Sequence, residues 1–422
     1  MTAELITGIG ELWTVDPVFD GQPGGSRPGV FTDMAMILRD GLIEWIGPAT
    51  GAPAADSLTD VGGRCVLPGW VDSHSHLVFA GDRSEEFAAR MAGQSYSAGG
   101  IGVTTEATRA ASDEQLRALI ARRIAQAVAG GTTYLETKTG YGLTVEEEER
   151  SARLAAEQVD ETTFLGAHLV PREYAGSAGS RAEYVDLVCG PMLEAVRPHV
   201  RWMDVFCEEG AFDVDESRRV LEAGRDAGLG LRVHGNQLGE SGGVALAVDM
   251  GAASVDHLNY MSDADIEALG GSSTVATVLP ACDLSTRAPL APGRRLIDAG
   301  ATVAIASNCN PGTSYTTSIP FCVGTAVLQM NLTVAEAVRA ATYGGARALR
   351  RSVDDVGDGG DAGRPPVGSL RVGARADLQV LDAPSPTHLA YRPGMPLTWR
   401  VWRGGVSSWG EAAPTANEFD AR

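Results

Sequence analysis

Between Val71 and Ser307 one pattern recurs: a short apolar or β-branched run, a break rich in glycine or polar residues, then a stretch with helical spacing. The candidate strands are Val71–Val78, Thr132–Thr137, Thr163–Val170, Trp202–Glu208, Leu229–His234, Ala253–Leu258, Thr274–Leu279 and Thr302–Ser307. Most are separated by amphipathic helices with readable starts. Ser112 with Gln115, Thr144 with Glu147 and Thr333 with Glu336 have the spacing of capping boxes. After Ser112, Leu116, Leu119, Ile120, Ile124 and Val128 fall on one helical face, which must be buried against strands. Eight strands joined by helical crossovers predict a (β/α)8 barrel rather than an open sheet.

The flanks read differently. From Leu5 to Val66 short alternating runs are broken by Gly and Pro, and Asp40-Gly41 between two apolar runs signals a β-hairpin. Past residue 352 a polar loop, Val353–Gly360, precedes renewed alternation at Ala376–Leu381 and Trp399–Trp402. The expected organisation is therefore a small β-sandwich domain built from both chain ends, 1–66 and 353–422, around a barrel at 67–352. The net charge of −20 argues against nucleic acid or an anionic membrane as partner, since 54 acidic groups repel phosphates. No apolar stretch is long enough to span a bilayer, and the first residues lack the basic start and apolar run of a signal peptide, so the chain reads as cytoplasmic. Six scattered cysteines without a CxxC pair read for the most part as buried small apolar residues, and Cys309, beside the candidate site, has no histidine neighbour in sequence to make it a nucleophile.

The chemistry gathers at strand ends. Asp72-Ser73-His74-Ser75-His76 puts two imidazoles on the same side of an extended chain, a metal-binding geometry. Glu136, Lys138 and Tyr141 follow the second strand, His168 the third, His234-Gly235-Asn236-Gln237 the fifth, Asp256-His257 the sixth and Asn308-Cys309-Asn310 the eighth. In a barrel all of these meet at the C-terminal mouth, where such enzymes keep their sites. Five of the seven histidines fall there, while His199 and His388 read as solvated surface residues.

These segments resemble imidazolonepropionase, a family of the amidohydrolase superfamily that acts in histidine degradation. The resemblance spans nearly the whole chain and rests on PGWVDSHSHLVFAGDR from Pro68, ETKTGYG from Glu136, FLGAHLVP from Phe164, DVFCEEGAF from Asp204 and NPGTS from Asn310. It implies a barrel of the amidohydrolase type and hydrolytic opening of 4-imidazolone-5-propionate to N-formimidoyl-L-glutamate. It also implies one divalent ion, zinc or iron, held by His74, His76 and His234 with Asn308 on the metal side. By the same resemblance His257 handles protons, oriented by Asp256, while Arg83, Tyr96, Tyr141, His168, Gln237, Asn310, Gly312 and Thr313 contact the substrate, whose carboxylate suits the planar donor fork of an arginine. Lys138 reads as structural or as a local positive charge, because the family site holds one metal. Barrels of this kind often pair, which leaves a homodimer open.

Two positions depart from the pattern, and both lose a carboxylate. Gln237 stands where much of the family has a glutamate, and Asn308 where it has an aspartate. An amide takes no proton as a carboxylate does and is a weaker ligand. The reading that follows keeps the activity by a shifted route, with Gln237 and Asn308 orienting water and substrate and His257 moving the proton. Another cyclic-amide hydrolase or aminohydrolase of the superfamily, or a silent ligand-binding relative, stays open at this stage.

Overall fold

The computed structural model describes residues 2–19, 29–93, 100–176, 178–357 and 364–410. Tyr96 and the tail from residue 411 lie outside the described residues. The chain divides into two compact units: Met1–Asp72 with Gln126–Tyr134 and Ser318–Arg422, and Ser73–Ala125 with Leu135–Thr317.

An eight-stranded sheet runs in chain order through β1 (Trp70–Asp72), β2 (Thr132–Lys138), β3 (Glu161–Ala167), β4 (Trp202–Cys207), β5 (Gly230–Gly235), β6 (Ser254–His257), β7 (Val275–Val278) and β8 (Val303–Ile305). The recorded pairs from β2 to β8 are all parallel. Strands β2 to β4 are buried at every position, as expected where helices cover the outer face and side chains fill the inside. Beyond β1 and β8 the ladder continues irregularly. Asn308 N–H donates to His74 O and His76 N–H to Cys309 O, each at 2.9 Å, while Lys138 N–H donates to Ser75 O at 2.8 Å. Residues 74–76 are thus held on both sides, and the eighth strand's end meets the first's. The expected barrel is present, with its first and last strands shorter than their apolar runs suggest.

Register places the chemistry. Phe206 pairs with His234, His234 with Asp256 and Asp256 with Thr277, so these side chains form one row. Two residues earlier Asp204, Arg232 and Ser254 form a deeper row on the same side, because strand side chains alternate with period two. Outside, the helix Asp113–Ala129 begins with the expected box, Gln115 N–H donating to Ser112 Oγ and Gln115 Oε1 accepting from Ser112 N–H. It buries Leu116 and Ile120 against Val78, Leu154 and Ala155.

In the other unit, Met34–Arg39 and Leu42–Pro48 form the expected hairpin, with Asp40 and Gly41 at φ 54° and 81° as its tight turn demands. Glu4–Thr7 lies between Met34–Arg39 and Ser57–Asp60. A six-stranded sheet unites the chain ends: Leu378–Leu381 pairs antiparallel with Cys65–Pro68 and with Thr398–Arg403. Trp402 is buried with Ile6, Leu12 and Met36, and its Nε1 donates to Glu4 Oε2 at 3.0 Å. One expectation fails. Val353–Val356 is a short helix rather than loop, because Asp355 Oδ2 accepts from both the N–H and the hydroxyl of Ser352 at its start.

Candidate active site

The site lies wholly within the unit formed by Ser73–Ala125 and Leu135–Thr317. His74 and His76 leave β1 together, and His76 Nε2 stands 3.3 Å from His74 Nε2. His234, at the end of β5, brings its ring to 4.5 Å from that of His74. His257 ends β6 at φ 90°, a left-handed conformation, with ring centroids 5.7 Å from His74 and 5.4 Å from His234. Nitrogens of His74, His234 and His257 lie within 4.8 Å of one another, a spacing that could hold a metal ion. His257 is therefore as close to this cluster as the expected ligand His76.

Each inner histidine is fixed by a carboxylate. His74 Nδ1 donates to Asp256 Oδ2 at 2.6 Å and His234 Nδ1 to Asp204 Oδ1 at 3.0 Å, which leaves both Nε2 atoms as lone-pair donors. The carboxylates are tied to buried cations in turn. Arg232 donates to Asp256 Oδ2 at 3.1 Å, and Lys138 Nζ lies 2.9 Å from Asp204 Oδ2 and 3.0 Å from Glu136 Oε1. Burial alone would raise the Asp204 carboxyl, but the facing His234 and Lys138 hold it well below the usual range. For Asp256, Arg232 and then Lys138 likewise outweigh burial. Burial, and for His74 the charge of Lys138, push the His74, His76 and His257 imidazoles well below the ordinary histidine value, so they stand neutral. His234 Nε2, His257 Nδ1 and Asn308 Oδ1 are buried without a hydrogen-bond partner.

The structure corrects one assignment. Asp256 serves His74 and Arg232, not His257, whose Nδ1 has no partner. Adjacent strand residues face opposite ways, so sequence neighbours are poor candidates for contact. Lys138 has the structural place expected of it. His199 and His388 are half-buried rather than solvated, and neither lines the pocket.

A recess opens over the histidines, lined by His76, Arg83, Tyr141, His168, His234, Gln237, His257, Asn308, Asn310 and Thr313, with Ile101 and Phe206 as its apolar wall. His168 Nδ1 donates to Gly140 O at 2.9 Å, and burial lowers its imidazole to about 4. Arg83 spends its Nε and Nη2 on Glu86, at 2.9 and 2.8 Å, and its Nη1 lies so near Gly312 that a Cβ there would stand 2.3 Å away. Asn310 has its amide committed to its own loop: Nδ2 donates to Asn308 O and Thr313 Oγ1, and Oδ1 accepts from the N–H groups of Gly312 and Thr313. Gln237 Nε2 reaches only Cys282 Sγ, at 3.9 Å, while its N–H donates to Glu208, whose carboxyl burial raises to about 7. Asn308 sits at φ 50°.

Sequence reasoning missed Asp204, Arg232, Glu86 and Glu208. Asp204 and Arg232 had a signal: each precedes a mouth residue by two on its strand, so each points the same way one layer deeper. Glu86 gave none that separates it from any exposed helix carboxylate.

Comparison with known proteins follows the same line. The amidohydrolase family model matches residues 65–406. The imidazolonepropionase of Saccharopolyspora erythraea is 64% identical over 406 residues, covering 96% of this chain and 99% of that protein. That of Arthrobacter sp. (strain FB24) is 63% identical over 413 residues, covering 95% and 98%. The solved structure of an adenosine deaminase from Xanthomonas campestris with bound zinc superposes with a TM-score of 0.69 at 19% identity, covering 96% of this chain and 92% of that one, a likeness of fold.

Proposed function

The chain belongs to the amidohydrolase family, and we infer that it opens the ring of 4-imidazolone-5-propionate by hydrolysis, giving N-formimidoyl-L-glutamate in histidine degradation. The observation that carries the reading is the identity above 60% to imidazolonepropionases over almost the entire length. The reaction adds water across the ring amide: oxygen bonds to the carbonyl carbon, the C–N bond breaks, and the departing nitrogen takes up a proton.

The residues fit one divalent ion. His234 Nε2 and Asn308 Oδ1 are buried polar atoms without partners, each expensive to leave unsatisfied, and both residues line the recess together with His76 and His257. His74, His76 and His234 would hold it through Nε2, with Asn308 as a neutral oxygen donor; zinc and iron(II) both accept such a set. A divalent ion there supplies Lewis acidity and makes water nucleophilic near neutral pH. Asp256 and Asp204 keep the His74 and His234 rings, respectively, in the tautomer that offers Nε2.

On the substrate side, His168 carries its proton on Nδ1, so its Nε2 can accept from a ring N–H. Arg83 meets the propionate carboxylate through Nη1 beside Gly312, its other edge being held by Glu86. Tyr141 and Phe206 exclude water around the ring, and Asn310 shapes the loop that presents Thr313. Neutral His257 accepts the proton from attacking water and returns it to the leaving nitrogen. The reading carries a cytoplasmic location with it, which six cysteines outside any disulfide suit.

The test is the initial rate at which purified protein, its metal content measured in the same sample, consumes freshly generated 4-imidazolone-5-propionate. Consumption should cease on chelation and return with metal. A metal-loaded protein that leaves the substrate untouched would overturn the reading.

A further inference from the structure

The segment Thr139–Leu143 follows β2 and carries Tyr141 into the lining of the recess. Its backbone is not one a free chain would hold, for Gly140 has φ 111° and Leu143 φ 58°. One side chain of the next helix, Val145–Ala156, holds it. Glu148 is fully buried. One of its carboxylate oxygens accepts from Gly140 N–H at 3.1 Å, the other from Gly142 and Leu143 N–H at 2.7 and 2.8 Å. Burial raises the carboxyl, while the Thr139 hydroxyl and these N–H groups favour its ionised form. With its N–H spent on Glu148, Gly140 turns its carbonyl to His168 Nδ1, 2.9 Å away. A side chain at Gly140 would stand 2.8 Å from Leu165 O and 3.0 Å from His168 Nδ1.

We propose that Glu148 is a positioning residue for the reaction: by accepting from three backbone N–H groups of one segment, those of Gly140, Gly142 and Leu143, it sets both the place of Tyr141 and the tautomer of His168. The inference rests on the reading of those two residues as substrate-side groups. A carbonyl only accepts, so Gly140 O forces the His168 proton onto Nδ1 and leaves Nε2 as an acceptor. If the segment relaxes, the proton can move to Nε2, and the substrate N–H then meets another N–H. No pair of oxygens in Glu148 is spare. An amide there must aim its NH2 at a backbone donor.

The experiment is Glu148→Gln in the full chain, read by 15N NMR of the His168 imidazole and by steady-state kinetics, with metal content and circular dichroism alongside. His168 is assigned by the signal that disappears in His168→Gln. We expect His168 to leave the pure Nδ1–H tautomer and KM to rise roughly tenfold or more, with kcat less affected and metal content unchanged. His168 staying in that tautomer, or a KM within about twofold of the parent's, overturns the proposal. Should Glu148→Gln fail to fold, Glu148→Asp, which keeps the charge but shortens the reach by one methylene, is judged by the same two readings. If the parent protein consumes no imidazolone propionate, the functional reading falls, and the tautomer, which needs no substrate, still decides on Glu148.

Discussion

At the scale of single residues, His257 and Asn308 carry the sharpest predictions. His257 Nδ1 is buried without a partner and its ring belongs to the histidine cluster, so its geometry suits a ligand as well as a proton carrier. His257→Ala should abolish turnover while elemental analysis still finds one ion per chain; joint loss of metal and turnover would make it a ligand instead. Asn308→Asp places a charge on the metal side and should slow metal loss to a competing chelator, measured as the rate of inactivation. Most site residues were readable from sequence because each sits within a few residues of a strand end and strands fix direction. What sequence could not give was pairing across strands. Asp256 reaches His74, past the end of a strand it does not pair with, rather than its neighbour in the chain, and Arg83 finds its anion on Glu86, one helical turn ahead.

At the scale of elements, the strands' inner rows form a buried ionic layer in which Glu136, Asp204 and Asp256 alternate with Lys138 and Arg232, all without exposure. Removing one cation from such a layer leaves a buried carboxylate uncompensated. Lys138→Met should therefore cost about 3–5 kcal/mol of stability, read by denaturant unfolding of the metal-free protein. The strands themselves were legible as apolar runs, but β1 and β8 stop short because residues 74–76 and 308–309 exchange ladder bonds irregularly, a feature no propensity encodes. The helix at Val353–Val356 was missed for a related reason: a single capping pair, Ser352 with Asp355, outweighs four residues with little to bury.

For the molecule as a whole, pH acts through carboxyls that burial disfavours. Asp283, held by Asn259 Nδ2 at 2.6 Å and Ala291 N–H at 3.2 Å, is raised from 3.8 to about 7. Between those values the folded chain keeps a proton that the unfolded chain has released, so this group's contribution to stability falls as pH rises from about 4 to 7, at up to about 1.4 kcal/mol per unit. Asp283→Asn should flatten that slope in unfolding measured across the window; an unchanged slope would show that Asp283 ionises freely. The union of both chain ends in one sheet was anticipated from alternation alone, since a β run near each terminus needs a partner to pair with. The left-handed backbone at Asn308 reaches furthest of all. Asparagine and aspartate are the side chains that most readily accept that conformation, and their codons differ by one base. A lineage can cross between amide and carboxylate at this position in a single mutational step without disturbing the backbone, so selection there weighs the chemistry of the side-chain head, its charge and its donor and acceptor atoms, rather than the fold.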